Sequence, residues 1–423
     1  MSGFFSLTRA GACCSLMLMV GTLTAAETDG DAELIDKLNQ TFGLELFADG
    51  ELWQDDAAAV AKRLHWPRES LTDTQSSYRL YADSDARVLG ARPYSLVMYA
   101  RDGKPDSLSM VFANKGDFEG VDKKGDDKKR AAAIRDFKDA VKADARTIEE
   151  ALTVTLGDLR RQTFGETPET RESVARWDWR EHAILLASPK DEYVAVRIVR
   201  KDVADNFGRA ARVGGLRELL QNRVARRDNG DVTVSQIPMV DQGPKGYCVP
   251  ATWERYLRYL EIPADMYLLA MAGNTGAGGG TYIDELTANI DLYVRRYGCK
   301  IQAVDSGLDT RNIARYVDKG LPLMWACYVN DSMEKNISKR AEERLKVTDW
   351  DAYGAELKPV KKEYKGASLR DRNRGHVRMI VGYNAKTGEL AISDSWGNWA
   401  AERWLTVEEA AATSQNYLCI IKW

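Results

Sequence analysis

Val240-Asp241-Gln242-Gly243-Pro244-Lys245-Gly246-Tyr247-Cys248-Val249-Pro250-Ala251-Thr252-Trp253 is the stretch on which the reading of this chain turns. It sets a cysteine directly before a helix. Pro250 fits the first helical turn, where its missing N–H costs nothing. Trp253, Tyr256, Leu257 and Leu260 then recur at i, i+3, i+4 and i+7, the spacing of a buried helix face, and Pro263 ends the element. A thiol at a helix N-terminus lies at the positive end of the helix dipole, which favours its thiolate. Gly243 and Gly246 let the preceding loop turn tightly enough to present the sulfur. Taken alone, the pattern also describes a structural cysteine buried at a helix start.

Two downstream segments complete the constellation. Gly375-His376-Val377-Arg378-Met379-Ile380-Val381-Gly382-Tyr383-Asn384 reads as a strand running into a turn, and Ala391-Ile392-Ser393-Asp394 as the next short strand. The turn Asn384-Ala385-Lys386-Thr387-Gly388 joins them, so His376 and Asp394 are expected on neighbouring strands of one hairpin, within hydrogen-bonding reach. Gln242 stands six positions before Cys248, His376 stands 128 after it and Asp394 stands 146 after it. A glutamine, a cysteine, a histidine and a carboxylate supply an oxyanion donor, a nucleophile, its base and the base's orienter. Each is routine alone; their conjunction in this order carries the argument.

Gln242 to Trp253, the Gly-His-x-x-x-x-x-Gly-Tyr of 375–383 and the Asp-Ser-Trp-Gly of 394–397 resemble the three signature blocks of papain-like cysteine peptidases. The nearest branch is the bacterial bacteriocin-processing-type (double-glycine leader) peptidases and their exported relatives, and the likeness covers about residues 236–423. The Cys-to-His and Cys-to-acid intervals sit near the roughly 130–150 residues of papain-type enzymes. The resemblance implies Cys248 as nucleophile, His376 as general base and acid, and Asp394 as its orienter. It implies an oxyanion hole from the Gln242 side chain and the Cys248 backbone N–H, with Trp396 shielding the His–Asp hydrogen bond. The Gly276-Ala277-Gly278-Gly279-Gly280 loop resembles the family's backbone-gripping loop, which implies substrate main-chain contacts at Gly279 and Gly280. Val249 and Lys245 stand where the family often has a tryptophan and a second cysteine, and aspartate replaces the plant enzymes' asparagine. Asn330 to Arg374, rich in Lys, Glu and Arg, is a long insertion before His376.

Length and composition bound the rest. A chain of 423 residues with 44% hydrophobic content supports two domains. The net charge of -3 offers no electrostatic case for nucleic acid; the Arg-rich stretch Arg209 to Arg227 reads as the solvated face of a helix. Residues 1–26 read as a cleavable export signal, with Arg9, an apolar Ala10–Leu23 and small residues before Glu27. No later run reaches the ~18 apolar residues of a membrane span. A secreted or periplasmic location is therefore expected. Export permits disulfides, but with Cys248 free only one pair can form among Cys299, Cys327 and Cys419. The histidines, His65, His182 and His376, and the cysteines show no metal-ligand spacing, and this chemistry needs no cofactor.

Residues 27–228 read as a separate α+β region. It opens with an amphipathic start (Leu34, Ile35, Leu38, Phe42) and a helix at 57–64. A hairpin follows, turning at Asp102-Gly103, then a charged loop at 115–130. A long helix carrying Ile134, Phe137 and Val141 comes next, and a strand pair around Pro189-Lys190-Asp191 closes the region. Its role is open between a restraining pro-region or lid and a recruiting module. The polar run Arg226-Arg227-Asp228-Asn229-Gly230-Asp231 marks the expected junction. The fold class expected is α+β: a papain-like cysteine peptidase domain at 229–423, its catalytic helix packed on an antiparallel sheet, behind a separate N-terminal α+β domain at 27–228. The function expected is an exported cysteine peptidase acting on a peptide or protein. A transglutaminase-like acyltransferase and a catalytically quiet peptide-binding module on the same fold are the alternatives.

Overall fold

The computed structural model describes residues 23–118 and 127–423. The expected export signal therefore lies almost wholly outside the described residues, as does much of the charged loop.

Helix α1 (Leu23–Phe42) turns Leu38 and Phe42 inward. Helix α2 (Ala57–Leu64) is N-capped by Asp56, whose carboxylate accepts from the Ala59 N–H. Strands β1 (Arg68–Leu71), β2 (Gln75–Tyr81), β3 (Ser95–Arg101) and β4 (Lys104–Asn114) follow. After helix α3 (Asp127–Leu156) come β5 (Arg160–Phe164), β6 (Glu172–Trp179), β7 (His182–Ala187) and β8 (Tyr193–Arg200). All eight strands form one antiparallel sheet in the order β1-β2-β3-β4-β8-β7-β6-β5. The expected hairpin is present: Asp102 and Gly103 both have positive φ (50° and 77°), as a two-residue turn between twisted strands requires. Phe137, Val141, Ile148 and Leu152 of α3 cover one face with α1 and α2. His182 is enclosed there between the rings of Trp53, Trp179 and Phe47, and burial pulls its pKa down to about 4.

Helices α4 (Lys201–Asp205) and α5 (Leu216–Asn222) lead to β9 (Val224–Arg226) and β10 (Asp231–Val234). Next come α6 (Cys248–Tyr259), α7 (Met266–Ala272), α8 (Ile283–Arg296), β11 (Lys300–Ala303), α9 (Thr310–Val317) and β12 (Leu323–Tyr328). The stretch expected as an insertion folds as α10 (Asp331–Arg344) and α11 (Trp350–Tyr364). Strands β13 (Gly375–Asn384), β14 (Glu389–Ser393) and β15 (Arg403–Thr406), helix α12 (Val407–Thr413) and β16 (Ser414–Lys422) complete the chain. The second sheet runs β11-β16-β12-β13-β10-β9, with β14 and β15 added beside β13. The overall class is α+β with antiparallel sheets, as expected. Trp253, Tyr256 and Leu257 of α6, with Leu260 at its C-cap, are all buried in the core on this sheet, the face that their spacing predicts.

Two sequence expectations meet a different local structure, and one question left open is answered. The polar run around Asn229 forms the turn of the β9–β10 hairpin, inside the second sheet; turn and linker share a composition, so the run does not distinguish them. The Arg-rich stretch is only partly helical, and Arg223 points inward, donating to the Tyr259 carbonyl and pairing with Glu261 at 2.8 Å. The pairing left open among Cys299, Cys327 and Cys419 does not occur: all three are buried free thiols that burial pushes up to about 11 or 12.

Gly382 marks where β13 leaves β12 and takes β10 as its neighbour, at a bulge against β14. A Cβ there would stand 2.6 Å from the Val232 carbonyl oxygen, so only glycine allows this approach. Gly382→Ala is expected to lower the unfolding free energy by roughly 1–3 kcal/mol through overpacking, measured as a lower urea midpoint with an unchanged slope.

Candidate active site

The N-cap of α6, Tyr247, supplies no side-chain acceptor, so no capping side chain occupies the first-turn N–H groups. Cys248 follows at the helix start and is half-buried. Its sulfur faces the His376 ring and the backbone amides of Val377 and Val249. Strand β13 passes beside α6, tied to it by Thr252 Oγ1 donating to the Val377 carbonyl at 3.2 Å. His376 is the second residue of that strand and is buried. Its Nε2 lies 2.7 Å from Asp394 Oδ1, which leaves Nδ1 for the sulfur. Asp394 comes directly after β14, which pairs with β13 in the expected hairpin. Trp396 stacks on the His376 ring at 4.7 Å and 27°.

The titration of this trio follows from its contacts. Burial pushes the Cys248 thiol up, but the hydrogen bond and charge of His376, with the two amides, bring it below the ordinary thiol value. Burial also pulls the His376 ring down, and the Asp394 and Cys248 contacts outweigh it, so its pKa lies above the ordinary imidazole value. Asp394 is held well below the usual carboxylate range: burial acts against that, and Arg378, His376 and Arg403 overcome it. The thiol and the ring thus shift toward each other, which favours a thiolate–imidazolium pair. Cys327, paired across from His376 in the sheet, stays protonated because burial pushes it up to about 12.

Behind Asp394 stands a charge cluster that the motif reading missed. Arg403 donates to Asp394 Oδ2 at 2.6 Å, and Arg378 Nε lies 2.9 Å from Oδ1, an ion-pair contact not aligned as a hydrogen bond. Both guanidinium groups also reach Glu334 of α10, at 2.9 and 3.0 Å. Arg378, Arg403 and Asp394 are each at most 1% exposed. Both guanidinium groups lie over the Trp396 ring at 5.2–5.4 Å. Two carboxylates and two arginines thus balance in charge. Arg378 had a readable signal: two residues after His376 on a strand, it must share the histidine's face. Glu334 had none.

Gln242 is fixed from the Asp394 side. Its N–H donates to the Ser395 carbonyl at 2.8 Å, and the Ser395 hydroxyl donates to its Oε1 at 2.8 Å. One Nε2 proton goes to the Lys245 carbonyl at 3.2 Å, and the other is left over. Ser395 is a further residue that the motif reading quoted without assigning a role. The Gly-rich loop meets the Cys248 loop backbone to backbone: the Gly280 N–H donates to the Gly246 carbonyl at 3.0 Å. A Cβ on Gly279 would stand 2.8 Å from the Gly246 nitrogen, and Gly279 has a φ of +91°, so this approach requires glycine. A cavity of about 750 Å³ lies elsewhere, between the first sheet and residues 261–265, and none of the expected site residues lines it.

Residues 234–421 match the Peptidase_C39 like family. The matched segment contains Gln242, Cys248, His376 and Asp394, and it bears out the papain-like resemblance read from the sequence for that part of the chain. It supports cysteine peptidase activity in general and a peptide or protein as substrate. No curated protein matches the chain. Among the described residues no helix is long and apolar enough to cross a membrane, and no cluster of ligating side chains could hold a metal ion.

The charge balance behind Asp394 makes a prediction for His376. Glu334→Gln leaves two arginines facing one carboxylate, which disfavours the imidazolium, so the pKa of His376 falls. Proton NMR can follow it, because the chain has three histidines and His182, near 4, serves as an internal control. An unchanged His376 titration in this variant would contradict the role given to Glu334.

Proposed function

We propose that this protein is an exported cysteine peptidase that hydrolyses peptide bonds through Cys248, His376 and Asp394. The observation carrying this reading is the continuous contact from a helix-start sulfur through an imidazole to a buried carboxylate. The Cys248 thiolate attacks the scissile carbonyl carbon. The oxygen that becomes negative is met by the Cys248 N–H and the spare Gln242 N–H. Imidazolium His376 gives its proton to the leaving amine, which departs and leaves a thioester on Cys248. His376 then takes a proton from water, the hydroxide adds to the thioester, and the acid product leaves as the thiolate is restored.

Asp394 keeps its charge throughout. Two arginines and a histidine hold the carboxylate far from protonation, so it orients the ring and offsets the ring's charge without taking the proton. Trp396 limits water access to the His–Asp contact. In this reading the main chain of a bound peptide meets the loop at Gly280, which is exposed beside Gly246; Gly279 is buried against Gly246 and its N–H already donates to the Gly276 carbonyl, so it shapes the loop without touching the peptide. The groups placed at the reacting atoms therefore all come from residues after 234, and the export signal is read from residues 1–26.

A fluorogenic peptide mixture and a thiol-directed peptide probe test the chemistry together. Wild type is expected to turn over the mixture and to gain one probe mass at Cys248. Cys248→Ala and His376→Ala each should lose turnover, by roughly 10³-fold or more for members of a catalytic triad. Persistent turnover in Cys248→Ala would contradict the reading. Product analysis with an added amine separates hydrolysis from acyl transfer: free carboxylate is expected, and an amide as the main product would revive the transferase alternative. For export, the N-terminal residue of the mature protein is expected to be Glu27, and an uncut chain in the cytoplasm would contradict it.

A further inference from the structure

The N-terminal sheet does more than precede the cysteine domain: its contacts converge on the loop from Met239 to Tyr247, which carries Gln242 to Cys248. Ser70 Oγ accepts from the Met239 N–H at 2.9 Å, and Glu69 Oε1 accepts from the Asp241 N–H at 2.8 Å. The Tyr81 hydroxyl donates to the Asp241 carbonyl at 2.5 Å, so both polar groups of the Asp241 backbone are held by β1 and β2. At the far end the Tyr247 hydroxyl donates to Asn114 Oδ1 at 2.5 Å, and the Lys115 carbonyl accepts from the Gly278 N–H at 3.1 Å. Glu69, Ser70, Asn114 and Tyr247 are all buried. Glu69 is itself fixed by Arg79 at 2.6 Å and Ser77 at 2.9 Å.

The helix carrying Cys248 is gripped from the same side. Tyr99 donates to Glu254 Oε1 at 2.8 Å, and the Arg258 guanidinium sits over the Tyr99 ring at 3.4 Å. An apolar joint made of Val111, Tyr193 and Ala195 on one side, and Val240, Tyr247, Ala251 and Met266 on the other, is fully buried. The groups facing Cys248 and His376 (Val249, Val377, Asp394 and Trp396) all come from after residue 234. The N-terminal contacts thus lie under the loop, and Cys248 keeps some exposure in their presence.

We propose that the N-terminal sheet is a permanent part of the catalytic unit, positioning the Gln242 loop through Glu69, Tyr81 and Asn114, and is not a pro-region removed on activation. This rests on the peptidase reading above. An inhibitory pro-region fills a cleft and leaves. This sheet instead satisfies buried and half-buried backbone groups of the loop at Met239 and Asp241, which would lose these partners if it left. Excision at the polar run around Asn229 would also sever the β9–β10 hairpin of the second sheet.

The test compares two reactions of the same sulfur in the full-length chain. Iodoacetamide alkylation needs only the thiolate, whereas turnover of the fluorogenic peptide mixture also needs the oxyanion donors. Tyr81→Phe removes one hydroxyl at nearly constant shape, and Asn114→Ala removes the acceptor at the other end. Each variant should alkylate at Cys248 at the wild-type rate, showing an intact fold. Turnover should fall roughly ten- to hundredfold, the scale of a displaced oxyanion donor. Probe-labelled wild type should retain residues 27–228 by intact mass. Wild-type turnover in both variants, or labelled protein starting near residues 226–236, would overturn the proposal alone. A wild-type chain with no Cys248-dependent turnover would overturn the peptidase reading and this proposal with it.

Discussion

Asp394 is a carboxylate with no exposed surface, and it touches one histidine and two arginines. An unpaired charge in that position would cost several kcal/mol, so the surrounding fold must deliver its partners. β13 brings His376 and Arg378, β15 brings Arg403, and α10 reaches in with Glu334 to balance the two cations. The helices of the 330–374 segment are therefore tied into the interior. Arg344, at the C-terminal end of α10, repeats the pattern by pairing with Asp231 of β10 and Glu389 of β14. The same arrangement decides how the sulfur behaves: a fixed, ionised Asp394 supports the imidazolium, and the imidazolium supports the thiolate.

Three thiols in this half of the chain are buried and kept protonated, and one sits at a helix start among hydrogen-bond donors. Composition cannot separate them, because a cysteine in an apolar strand and a cysteine before a helix are the same residue. Position does. Cys327 is paired with His376 in the same sheet, yet burial raises it, and only Cys248 gains a lowered pKa. Selectivity here arises from backbone direction and one imidazole.

What the sequence made legible was local. The α6 face, the Asp102-Gly103 hairpin and the His376–Asp394 hairpin depend on spacing within about 20 residues, and each is present in the structure. The structure also brings Gly280 to the Cys248 loop. The pairing of Glu334 with Arg378 and Arg403 depends on contacts 44 and 69 residues apart, which no periodicity encodes. The linkage of Glu69 and Tyr81 to Asp241 spans still longer separations. Arg223, expected in a solvated face, is buried because Glu261 waits for it across the chain. Polar residues at long range are where the sequence is silent, because their burial depends on a partner that only the fold supplies.

The claim underlying all of this is that the Cys248 sulfur is ionised beside His376 near neutral pH. The most direct measurement is the ultraviolet absorbance of the thiolate across a pH titration, taken as wild type minus Cys248→Ser. The account predicts a sulfur that ionises below the ordinary thiol value and moves back up toward it in Asp394→Asn. A difference signal that appears only at or above the ordinary value, unmoved by loss of the carboxylate, would contradict it.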